Sequence, residues 1–211
     1  MMINIWPFWL GWTAANAIGW AVGLTVENAA QLALEAASGG VLVASEGGLV
    51  QEAIAGLLFG LPVGAMQWLA LRRRIAGTAW WIPATAGGFI LAGIVGGALQ
   101  DIGAVVGVPV ISFVGGLVIS FGLGLAAGTL QWLILRRQVK HAGWWVPASA
   151  ILVFASLITG LAAAMALTGE GPGVSVSGAA FAAVAGAAFG LTSGLVLVRL
   201  LRQPALMENF R

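Results

Sequence analysis

Long apolar runs alternate with short polar breaks along this chain, and a helix that crosses a bilayer needs about 20 mostly apolar residues. Six stretches have that length: Trp6 to Val26, Val50 to Leu71, Trp80 to Leu99, Ile111 to Leu135, Trp144 to Leu167 and Ser177 to Leu201. The breaks are rich in helix breakers or charge, as in "RRRIAGTA" after the second stretch, "RRQVKHAG" after the fourth and "TGEGPG" before the sixth. The pattern predicts an all-α, polytopic membrane protein with six transmembrane helices, forming a single integral membrane domain over 1–211. One longer outer loop, about 27–49, separates the first two spans. Its stretch from Glu27 to Ala37 suits a short helix on the membrane surface or an outward extension of span one.

The runs repeat. "QWLALRRR" from Gln67 returns as "QWLILRRQ" from Gln131, and "WWIPATA" from Trp80 returns as "WWVPASA" from Trp144, both after sixty-four residues. The repeating unit is therefore a helical hairpin, with copies at about 6–74, 80–137 and 144–202, the third degraded. The second helix of each copy carries a G-x-x-x-G pair suited to helix packing: Gly60 and Gly64, Gly124 and Gly128, Gly190 and Gly194. Aligned on these glycines, the third copy has Leu197 where the others have Gln67 and Gln131. Three parallel hairpins are most simply placed about a pseudo-threefold axis along the membrane normal, where the glycine faces would meet; a sequential row fits the same pattern.

Charge supplies the orientation. Only 8% of residues are charged and the mean hydropathy is +1.02, far from the roughly 25% charge of a soluble domain. All nine Lys and Arg residues fall at the ends of spans two, four and six, with Glu208 beside them, and the other six acids lie on the opposite side. By the positive-inside rule both termini are cytoplasmic. The net charge of +2 and pI near 10.5 thus report topology. No basic patch has a polar domain of its own, which argues against nucleic acid as a partner.

The same sorting assigns the repeated motif to anchoring. Trp68, Trp80, Trp81, Trp132, Trp144 and Trp145 fall at the cytoplasmic interface, where an indole keeps its ring in the acyl boundary and its N–H near water. Arg72, Arg73, Arg136 and Arg137 lie just beyond, among anionic head groups, so the expected partners are the bilayer itself and other membrane subunits. Gln67 and Gln131 fall about one turn inside the arginines, where an unpaired amide is costly; they either bond a neighbouring helix or interfacial water, or line a polar vestibule. Asp101 interrupts an apolar stretch at the outer end of span three, where it is either simply exposed at the interface or a third polar candidate. Pro62 is expected to kink span two.

The chemistry available is narrow. There is no cysteine, one aspartate, and one histidine, His141, in a basic loop. Intramembrane proteolysis would require an aspartate pair, a serine with its base or a metal site. No span holds a lysine for a retinal linkage or a histidine for haem, so no metal or cofactor is expected. The blocks Q-W-L-x-L-R-R and W-W-x-P-A together resemble hairpin repeats in uncharacterised bacterial multispanning membrane proteins, over about spans two to five. That resemblance implies a bacterial inner-membrane location and carries no activity. The reading that results is a non-catalytic structural or accessory subunit of a larger membrane assembly; the alternative is a passive channel or facilitator for a small solute.

Overall fold

The computed structural model describes residues 5–38, 48–75, 77–106, 109–168 and 176–202, with side chains throughout except at 38, 100–106, 109–118, 168 and 176–177. Among the described residues the regular structure is helical: α1 (Ile5–Ser38), α2 (Leu49–Leu71), α3 (Trp81–Val106), α4 (Pro109–Leu135), α5 (Trp145–Thr168) and α6 (Val176–Leu201). Four described stretches are long and apolar enough to cross a membrane: Leu49–Leu71, Thr78–Leu99, Ala142–Leu167 and Gly178–Leu201. The described apolar part of α4, Ile119–Leu135, is shorter. Of the two forms expected for Glu27 to Ala37, the outward extension is the one found: α1 runs through them to Ser38 without a break. Pro62 sits inside α2, which also runs on unbroken.

Each helix packs on the helix before and after it, and α6 returns to pack on α1, so the six close into a ring. Small residues make that closeness available. A Cβ built on Gly124 of α4 would lie 2.4 Å from Ala150 Cα of α5, and one on Gly60 of α2 would lie 2.7 Å from Ala86 Cα of α3. These are backbone-to-backbone contacts with no room for a methyl group. The glycine faces do not meet one another at an axis; each meets the following helix of the ring.

Contacts with α1 also correct the expected register of α6. Gly64 and Gly128 approach Ile82 and Val146, each one residue after a buried tryptophan, and the glycine that approaches Thr13, one residue after Trp12, is Gly190. Gly186, against Asn16 and Trp20, then matches Gly60 and Gly124. The glycine contacts of α6 are thus one helical turn away from an alignment on Gly190 and Gly194. Gly194 instead faces the rings of Trp9 and Trp12, at the level of Trp68 and Trp132.

The two basic turns repeat in detail. Arg72 N–H bonds Trp68 O and Arg136 N–H bonds Trp132 O, both at 2.8 Å. Gly77 (φ 67°) and His141 (φ 57°) then occupy the left-handed region at equivalent positions, each before a single 3₁₀ turn that leads into the next helix. Glycine takes that conformation without the steric cost a Cβ brings.

Candidate functional site

The inside of the ring is built in layers. At the basic end a cluster of Phe8, Trp12, Trp81 and Trp145 with Leu71, Leu135 and Leu197 fills the middle. Farther in lies a second apolar cluster that includes Trp20, Val63, Leu123, Val153 and Phe189. Between them is a buried polar layer of Asn16, Gln67, Thr85, Gln131, Ser149 and Ser193.

Helices α1, α3 and α5 each supply a tryptophan and, four residues on, a polar side chain on the same face: Trp12 and Asn16, Trp81 and Thr85, Trp145 and Ser149. Helices α2, α4 and α6 supply the acceptors. Trp81 Nε1 donates to Gln67 Oε1 at 2.8 Å, Trp145 Nε1 to Gln131 Oε1 at 2.9 Å, and Trp12 Nε1 to Ser193 Oγ at 3.0 Å. The amides link the sectors. Gln67 Nε2 donates to Asn16 Oδ1 at 2.8 Å, and Gln131 Nε2 donates to Thr85 Oγ1 at 2.9 Å and to Gln67 Oε1 at 3.3 Å. Thr85 Oγ1 donates to Gln67 Oε1 at 3.2 Å, and Asn16 Nδ2 to Trp12 O at 2.8 Å.

Several positions singled out from sequence change role here. Trp81 and Trp145, read as interface anchors, are 0% and 1% exposed, whereas Trp80 and Trp144 are 72% and 69% exposed. Successive helix residues point about 100° apart, so a Trp-Trp pair at a helix start presents one ring inward and the other outward. Trp68 and Trp132 stay half-buried at the basic end, with the Arg72 and Arg136 guanidinium carbons 5.4 Å and 5.1 Å from their ring centroids. That is cation–π distance. Arg73 and Arg137 are exposed. Gln67 and Gln131 bond neighbouring helices, and the third position is Ser193, not Leu197, which joins Leu71 and Leu135 in the apolar layer. Asp101 lies in α3 with its side chain outside the described residues.

Asn16, Thr85 and Ser149 were missed. The signal was present: a small polar residue follows the inward tryptophan by four, whereas Ala84 and Ala148 follow the outward Trp80 and Trp144. At the acidic end, Glu27 takes a hydrogen bond from Gln31 Nε2 at 3.2 Å. Burial first, and then the charge of Glu52, push its carboxyl up to about 7.

Electrically the centre is neutral. Its donors and acceptors are amides, hydroxyls and indoles, which bond and orient small molecules but do not exchange protons near neutral pH. Among the described residues no group of three His, Cys, Asp or Glu side chains could hold a metal ion. Comparison with protein-family models, curated proteins and solved structures returns no match.

Proposed function

We propose that this chain is a non-catalytic integral membrane protein, a structural or accessory subunit of a larger membrane assembly. In this reading it crosses the bilayer six times as three hairpin repeats about a pseudo-threefold axis. Both termini and the basic turns face the cytoplasm, as in a bacterial inner membrane. The observation that carries the reading is a centre filled by interlocking tryptophan, leucine and amide side chains, inside a ring whose outward faces are apolar. Such a bundle supports itself and presents lipid-compatible sides. Trp68 with Arg72 and Trp132 with Arg136 would hold its depth against anionic head groups. Native mass spectrometry after extraction in a mild detergent tests the assembly role. A defined complex heavier than the 21.4 kDa chain is expected, and a lone chain under the gentlest extraction contradicts it.

A second reading, a passive facilitator for a small neutral solute, draws support from the uncharged hydrogen-bonding layer at Gln67, Thr85 and Gln131. The Trp12, Trp81 and Trp145 layer opposes it by filling the path. Swelling of protein-loaded vesicles in small neutral solutes distinguishes the two. Rates equal to protein-free vesicles fit the first, and faster rates fit the second.

A further inference from the structure

The polar layer is threefold in its donors but not in its amides. Gln67 on α2 accepts from Trp81 on α3 and donates back to Asn16 on α1; Gln131 on α4 accepts from Trp145 on α5 and donates back to Thr85 on α3. By the same rule the α6 residue that accepts from Trp12 would donate back to Ser149 on α5. That residue is Ser193, whose hydroxyl donates to Phe189 O of its own helix at 2.5 Å and has no arm to reach across. Ser149 Oγ is left without a hydrogen-bond partner while the residue is 3% exposed.

A second buried donor is in the same condition. Trp20 Nε1 has no partner, and Trp20 is also 3% exposed. Both residues line one small cavity of about 20 Å³, together with Gln67, Thr85, Gln131 and Phe89. A cavity holds a water once it offers about 10–15 Å³ and two to four polar partners. Leaving either group unbonded would cost free energy in a low-dielectric interior.

We propose that this cavity is a binding site for one neutral, water-sized hydrogen-bonding molecule, which takes the place of the amide that Ser193 does not supply. It accepts from Trp20 Nε1 and bonds Ser149 Oγ, one turn inside the tryptophan layer. The lining has neither carboxylate nor cationic group, so an ion would lose its hydration without compensation. Its size admits water and excludes an organic solute.

Water itself is the probe. In protein labelled with ¹⁵N-tryptophan in micelles, the Trp20 indole resonance is identified by its loss in Trp20→Phe. A cross-relaxation peak between that N–H and water is expected, and its absence overturns the proposal. Ser149→Ala is expected to lower the melting temperature by several degrees, because the bound molecule loses a partner. An unchanged or higher melting temperature means the hydroxyl was merely unsatisfied, and also overturns it. Ser193→Gln supplies the missing amide: the water cross-peak is expected to vanish, and its persistence in the folded variant contradicts the placement. If Ser193→Gln does not fold, the first two measurements still decide.

Discussion

Trp81 and Gln67 stand fourteen residues apart on successive helices and meet through one buried hydrogen bond of 2.8 Å, Nε1 to Oε1. Trp145 and Gln131 repeat it at 2.9 Å across the same separation. The two bonds are not equally replaceable. Gln67 Oε1 also accepts from Thr85 and Gln131, while Gln131 Oε1 accepts from Trp145. A buried acceptor stripped of its donor costs about 1–3 kcal/mol, and one that retains other donors costs less. Trp145→Phe is therefore expected to destabilise more than Trp81→Phe, by about 1 kcal/mol. Thermal melting of both variants in one detergent checks the order, and equal losses would mean that packing alone holds the indoles.

The glycines offer a graded series. A Cβ on Gly124 would meet Ala150 Cα at 2.4 Å and one on Gly186 would meet Asn16 O at 2.5 Å, whereas one on Gly122 meets nothing within 4 Å. Gly124→Ala and Gly186→Ala are expected to cost about 1–3 kcal/mol by overpacking. Gly122→Ala should be neutral or mildly stabilising, since alanine is the better helix former. Melting temperatures of the three test the register directly, because an alignment on Gly190 and Gly194 gives Gly186 no special place.

Glu27 makes stability depend on pH. Burial and the neighbouring Glu52 raise its carboxyl from 4.5 to about 7, so the folded protein holds a proton that the unfolded chain releases between those values. The stability associated with this proton is complete below about pH 4.5 and is lost as pH rises through about 7. Melts at pH 5 and pH 8 should show that loss in the wild type and a smaller one in Glu27→Gln. An identical pH dependence in the two would remove Glu27 as its source.

Sequence and structure agree where a single physical variable decides and part where two are needed. Apolar run length suffices to place the helices, and the repeated blocks place their turns, down to Gly77 and His141 in matching backbone conformations. The expected register of α6 is off by one turn because Gly186, Gly190 and Gly194 recur every four residues, so a glycine match alone cannot choose among them. What chooses is the need of Trp12 Nε1 for an acceptor, which Ser193 meets and Leu197 cannot. The interface reading of Trp81 and Trp145 fails for a related reason: side-by-side tryptophans share every property except helical phase. The phase is set by Thr85 and Ser149 one turn on, small residues that carry little weight until the ring brings them beside the glutamines.

In the proposed topology the helices cross the bilayer in alternation and the basic turns stay inside. Gly48, before α2, and Gly143, after α4, leave open space for a side chain, and the native chain has no thiol. Three helices separate them, so alternate crossing would put them on opposite faces. The most direct measurement is labelling of Gly48→Cys and Gly143→Cys with a membrane-impermeant thiol reagent. Gly48→Cys is expected to react in intact cells and Gly143→Cys only after permeabilisation. Reaction of both from outside, or of Gly143→Cys alone, overturns this topology.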